Sequence, residues 1–242
     1  MIELKQVVFS YPGMPSVLNG ISFTLKPDDV TMLLGANGSG KSTLLGVTGG
    51  RLMPQSGTVQ YRGAVIANLP PRFRATKIAT VMQTPDPATD LTVYELAMIG
   101  RNPFLPRFGE PRKEDKDAVN AALALLKLTD LKNRRLSRLS GGERQRAAIA
   151  SAVARQSEFL LLDEPTAAAD PAYRAEIVQT LLALPHHPGI LMTTHDITAA
   201  KHWAKRVILL KNGLIFADGT PEQTLTGENV SAVYGPNAVF FL

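Results

Sequence analysis

Gly35-Ala36-Asn37-Gly38-Ser39-Gly40-Lys41-Ser42 is the stretch on which the reading of this 242-residue chain turns. It satisfies G-x-x-x-x-G-K-[ST], a motif that needs a strand before it and a helix after it. Val30-Thr31-Met32-Leu33-Leu34 is a short apolar run with β-branched members and reads as a buried strand, and Lys41 to Val47 can continue as a helix. Glycines let a backbone wind tightly around an anion, its N–H groups converge on phosphate oxygens, and the helix N-terminus adds a favourable dipole. The loop residues Gly35, Asn37, Gly38, Ser39 and Gly40 are therefore expected to form a phosphate cradle, with the Gly38 to Thr43 backbone turned towards the anion. Lys41 would bring a point charge to the β- and γ-phosphates, and Ser42 a hydroxyl for Mg²⁺.

The bulk composition fits one compact α/β domain, with room for an inserted subdomain. Hydrophobic residues make up 45% and charged residues 19%, which argues against extensive disorder. No apolar run approaches the length of a membrane span, and Met1-Ile2-Glu3-Leu4-Lys5 does not begin a signal peptide, so a cytosolic chain is expected unless a partner holds it at a membrane. Cysteine is absent, which excludes disulfides and thiolate metal sites. The formal charge of +5 is spread among acids rather than gathered in a block, a pattern that suits solubility and nucleotide attraction better than nucleic-acid binding.

Along the chain, Ile2 to Phe9 and Val17 to Leu25 alternate apolar and polar residues and predict a small antiparallel sheet around Tyr11-Pro12-Gly13. Tyr11, just past the first strand, is either a ring that stacks on adenine or an ordinary strand-end aromatic; the P-loop in the same chain puts it among the nucleotide-binding candidates. Ile78 to Met82 reads as a central strand ending at Gln83, a position where ligands collect in open α/β sheets. Thr92 and Glu95 have capping-box spacing, and Lys113 to Leu128 reads as one long helix whose leucines leave little polar face. His186 and His187 in a Pro-flanked loop and His202 on a surface helix suggest no metal site, and Asn212-Gly213 predicts a hairpin.

Two further stretches carry chemistry. In Leu139-Ser140-Gly141-Gly142-Glu143-Arg144-Gln145, Gly141 and Gly142 open a helix and expose N–H groups to an anion, while Ser140 can add a hydroxyl. Phe159-Leu160-Leu161-Leu162-Asp163-Glu164 is an apolar strand ending in two acids, the Walker B form that brings Asp163 near Mg²⁺.

With these residues in this order, the chain resembles the ATP-binding subunits of ATP-binding cassette (ABC) transporters nearly end to end, Leu139 to Gln145 matching that family's signature sequence. Glu164 to Pro171 resembles the family's D-loop, with Ala169 in place of the usual leucine, and His195 matches its switch histidine. The ending around Leu225 to Gly235, and Leu91 to Pro103, resemble the branch that serves iron-siderophore, haem and cobalamin importers. The resemblance implies an α/β fold of the P-loop NTPase (ABC ATPase) class with a RecA-like core and an antiparallel β subdomain, in residues 1–83 and 158–242, and an inserted helical subdomain with the signature in residues 84–157.

It also implies roles. Lys41 and the P-loop would hold the phosphates of ATP, and Ser42, Asp163 and Gln83 would hold Mg²⁺ or its waters. Glu164 would polarise the attacking water, or otherwise act as a second metal ligand, and His195 would sense the γ-phosphate. One P-loop and one signature per chain imply a homodimer with ATP sandwiched between P-loop and Ser140-Gly141-Gly142. Transport then requires integral-membrane permease subunits, touched by the Gln83 to Arg107 region through residues such as Tyr94, Arg101 and Phe104, and indirectly a substrate-binding protein. The chain would sit on the inner face of the cell membrane as the ATPase of a metal-chelate importer. An ATPase of another importer or exporter, or a soluble ABC ATPase, is the alternative.

Overall fold

The computed structural model describes residues 1–82, 90–106, 108–166 and 171–237. In chain order its elements are β1 (Ile2–Ser10), β2 (Ser16–Leu25), β3 (Val30–Leu34), α1 (Lys41–Thr48), β4 (Ser56–Tyr61), β5 (Ala64–Val65), α2 (Pro71–Lys77), β6 (Ile78–Val81), α3 (Val93–Ile99), α4 (Lys113–Leu125) and α5 (Gly141–Ala154). There follow β7 (Phe159–Leu162), α6 (Pro171–Leu182), β8 (Gly189–Thr193), α7 (Ile197–Trp203), β9 (Arg206–Lys211), β10 (Leu214–Gly219), α8 (Pro221–Thr224) and α9 (Gly227–Tyr234). They gather into two compact units, one of Met1–Leu69, Leu161–Glu164 and Pro188–Leu242, the other of Pro70–Leu160 and Pro165–His187. Among the described residues no helix is long and apolar enough to cross a membrane.

The first unit holds two sheets. One is antiparallel in the order β2-β1-β4-β5, as the alternation of β1 and β2 predicts. The other runs β10-β9-β3-β8-β7, with β3 parallel to both β8 and β9. All five residues of β3 and of β8, and all four of β7, are buried, which is why these strands read as unbroken apolar runs rather than alternating ones. Lys211 and Leu214 close the predicted hairpin, with Asn212 at φ 50° and Gly213 at φ 74°, the paired left-handed geometry that a two-residue Asn-Gly turn supplies.

The second unit is mainly helical, with α3, α4 and α5 packed through small residues such as Ala97, Ala118, Ala122, Ala147 and Ala150. The α3–α5 approach is close enough that a Cβ on Gly100 would fall 1.9 Å from the Ser151 carbonyl oxygen. Three expectations change here. First, β6 stands at the end of its strand order instead of in the middle; it looks central in sequence because α2 and α5 cover it and bury Ile78, Ala79 and Val81. Second, α4 stops at Leu125, Lys127 turns to φ 52°, and the helix is amphipathic: Asp115, Ala118, Val119, Ala122 and Leu123 are buried while Leu125 is 41% exposed. The leucines counted towards an apolar helix are split between its last turn and the loop beyond it. Third, Arg101 does not face outward. Its guanidinium is buried, bonds Asp115 Oδ1 at 2.9 Å and the Ala154 carbonyl at 3.0 Å, and lies 4.1 Å from the Phe104 ring centroid.

Candidate nucleotide site

The P-loop leaves the end of β3 and turns into α1. Gly40 caps α1 at φ 105°, where an added Cβ would stand 3.1 Å from the Val17 carbonyl oxygen, so a side chain there is strained and crowded. No side chain caps α1 and no acid sits in its first turn, whereas α3, α5 and α8 each begin with a capping box. The first N–H groups of α1 are therefore left for an external acceptor. Ser39 adds a buried hydroxyl with no hydrogen-bond partner, and Ser42 faces solvent beside it.

Lys41 is 7% exposed, and its Nζ donates to the carbonyls of Gly35 at 2.8 Å and Ala36 at 3.1 Å. Burial pushes the ammonium below its ordinary pKa, and the carboxylates of Glu164 and then Asp163 pull it back up. Those two acids follow β7 directly, so the cation and the carboxylates belong to one electrostatic cluster. Tyr11 is 37% exposed; its hydroxyl is 3.2 Å from Thr43 Oγ1, and its ring meets Phe9 edge-on at 5.0 Å.

Glu164 stands at φ 48°, in the left-handed region that a non-glycine residue occupies only when its surroundings hold it there. Two contacts do so. Its N–H donates to Thr193 Oγ1 at 2.8 Å, and its Oε1 pairs with His195 Nε2. Thr193 Oγ1 in turn donates to Asp163 Oδ1 at 2.7 Å, so one hydroxyl ties the two acids together from the neighbouring strand. Asp196, next to His195, caps α7 by accepting from the Ala199 N–H at 2.8 Å.

Lys41, Asp163, Glu164, His195, Tyr11 and the P-loop residues thus meet in the first unit. Ser140, Gly141 and Gly142 lie in the second, at the start of α5. There the Ser140 Oγ accepts from the Glu143 N–H at 3.2 Å, and the Ser140 N–H bonded to Glu143 holds that carboxyl below its usual range. Gly141 has open space where a Cβ would stand. Gln83 and the D-loop residue Ala169 lie outside the described residues. The reading from sequence missed Thr193, the last residue of β8, two positions before His195.

A phosphate cradle at the end of β3, a lysine beside it and a pair of acids just past the end of β7, with β8 between the two strands, define a P-loop nucleotide hydrolase. Comparison with known proteins narrows the class. The ABC transporter family model matches residues 18–167. The hemin import ATP-binding protein of Bordetella parapertussis is 36% identical over 247 residues, covering 98% of this chain and 93% of the relative. The ferric enterobactin transport ATP-binding protein of Escherichia coli K12 is 33% identical over 233 residues, covering 96% and 86%. Among solved structures, a metal-chelate type ABC transporter in an inward-facing conformation superposes with a TM-score of 0.83 at 29% identity, covering 96% of this chain and 88% of that one. The chain belongs to the ABC transporter family, as an ATP-binding and ATP-hydrolysing subunit.

Proposed function

We propose that this chain is the ATPase of a metal-chelate importer, that two copies clamp ATP between them, and that Glu164 directs the water which cleaves it. The observation that carries the catalytic part is the Glu164 carboxylate, paired with His195 while its backbone is held at φ 48°. The uncapped start of α1, the orphaned Ser39 hydroxyl and Lys41 support phosphate binding in the P-loop. Tyr11, exposed at the rim, offers a ring for adenine.

The donor set suits Mg²⁺. The Ser42 hydroxyl and the Asp163 carboxylate are hard oxygen ligands, and among the described residues no cluster of three His, Cys, Asp or Glu could hold a metal alone. That matches an ion bound through one carboxylate and the substrate's own phosphates. When bound, Mg²⁺ supplies charge neutralisation on the β- and γ-phosphate oxygens. The chain's own groups do the remainder: Lys41 balances charge on the γ-phosphate, Glu164 orients and deprotonates water, and His195 holds the Glu164 carboxylate in line.

Each chain has one P-loop and one signature, and the open space over Gly141 leaves the start of α5 accessible to a phosphate presented by a second copy. Membrane permease subunits, a substrate-binding protein and a seat on the inner face of the membrane belong to the same proposal; the hemin import and ferric enterobactin transport named for the relatives support a permease partner. Purified Glu164→Gln mixed with Mg²⁺ and ATP is expected to retain nucleotide, sediment as a dimer and lose at least about a hundredfold in turnover. A monomer under those conditions would overturn the clamp, and near-normal turnover would remove Glu164 from its role. For the cargo, uptake of ferric siderophore, haem or cobalamin in cells lacking this chain is the measurement; undiminished uptake of all three would exclude the metal-chelate assignment.

A further inference from the structure

The last helix of the first unit, α9, reaches back to the first residue of the P-loop. Thr226 caps it by accepting from the Asn229 N–H, Asn229 Nδ2 donates to the Thr224 carbonyl at 3.0 Å, and Val230 and Val233 are buried. The helix ends at Tyr234, whose Oη accepts a hydrogen bond from the Gly35 N–H at 2.7 Å across 199 residues of sequence. Gly235 follows at φ 94° and turns the chain away.

Gly35 is confined on every side. Its φ is 155°, and a Cβ there would stand 2.3 Å from the Leu210 carbonyl oxygen and 2.7 Å from Ser39 Oγ, so no side chain can occupy the position. Its carbonyl accepts from Lys41 Nζ at 2.8 Å and its N–H is held by Tyr234. The peptide before Gly35 is thus pinned by the tyrosine and the peptide after it carries the phosphate lysine.

From this we infer that Tyr234 is a positioning residue for the nucleotide site, acting through Gly35 to hold the carbonyl that steers Lys41 and thereby setting the affinity of the loop for nucleotide. The inference rests on the phosphate-binding role given to the P-loop above. Burial pushes the Tyr234 hydroxyl up to about 12, so it keeps its proton and stays a neutral acceptor at any working pH. Phenylalanine at 234 would fill the same space and leave the Gly35 N–H without that partner.

The test uses the full chain and compares Tyr234→Phe with Val230→Ala, which loosens α9 without touching the hydroxyl. Binding of MgATP and MgADP, the KM and kcat of hydrolysis, the melting temperature and exchange of the Gly35 amide hydrogen are read for each. Tyr234→Phe is expected to weaken both nucleotides and raise KM about five- to tenfold with kcat within about twofold, and to speed Gly35 amide exchange. Val230→Ala should lower the melting temperature and leave nucleotide affinity unchanged. If Tyr234→Phe binds nucleotide as the wild type does, or if Val230→Ala weakens nucleotide equally, the positioning role is overturned. Failure of the wild type itself to bind MgATP would instead overturn the site on which the inference stands.

Discussion

Thr193 Oγ1 lies 2.8 Å from the Glu164 amide nitrogen and 2.7 Å from Asp163 Oδ1, so a single hydroxyl on β8 holds both acids that follow β7. It accepts from the first and donates to the second, which uses its proton and one lone pair. The left-handed backbone at Glu164 persists because of that bond and the His195 contact.

Thr193→Val keeps the shape of the side chain and removes the hydroxyl. The Glu164 N–H and Asp163 lose that partner, which should destabilise the protein by about 1–3 kcal/mol and lower kcat about tenfold or more, while KM for ATP changes little. Thr193→Ser should restore most of both. Urea unfolding and steady-state hydrolysis check the pair, and unchanged kcat in the valine variant would mean that Glu164 is positioned by other means.

Lys41→Met retains the apolar stem and removes the charge. Nucleotide affinity should fall at least about tenfold, since a charge-assisted bond to phosphate is lost. The fold should tolerate the change, because burial already penalises the ammonium in the free protein. Calorimetric titration with MgATP beside a melting curve separates the two effects; wild-type affinity would exclude Lys41 from the phosphate site.

Burial chiefly raises the pKa of the Tyr234 hydroxyl to about 12 from its ordinary 10.0. In the unfolded chain it loses its proton first, so between these values the folded state binds more protons and stability falls as pH rises. Its contribution is fully present below pH 10 and is lost as pH passes through the folded value, on the order of 1–3 kcal/mol. Denaturation curves across this range should be steeper in pH for the wild type than for Tyr234→Phe, and identical slopes would contradict the burial of the hydroxyl.

Arg101→Ala leaves Asp115 as a buried, unpaired carboxylate and removes the donor to the Ala154 carbonyl. The expected loss is about 3–5 kcal/mol. Arg101→Ala combined with Asp115→Ala should lose less than the two singles summed, because the second change removes the stranded charge. A surface role for Arg101 would show as a loss below about 0.5 kcal/mol in the same unfolding experiment.

Features made by near neighbours were legible in the chain. The P-loop glycines before Lys41, the Thr92–Glu95 capping box and the Asn212-Gly213 turn all close within a few residues, so residue type and spacing carry them whatever surrounds them. The acids Asp163 and Glu164 were legible for the same reason, as the polar end of a buried run. Other features depend on which distant segments pack together. Whether β6 is central or at an edge, whether Arg101 points inward, and which hydroxyls meet Glu164 and Gly35 are settled by pairings across 14 residues for Arg101 and Asp115, 29 for Thr193 and Glu164, and 199 for Tyr234 and Gly35. A side chain's chemistry belongs to its own position in the sequence, but its partner and its burial depend on the packed fold around it, and local spacing holds no record of either.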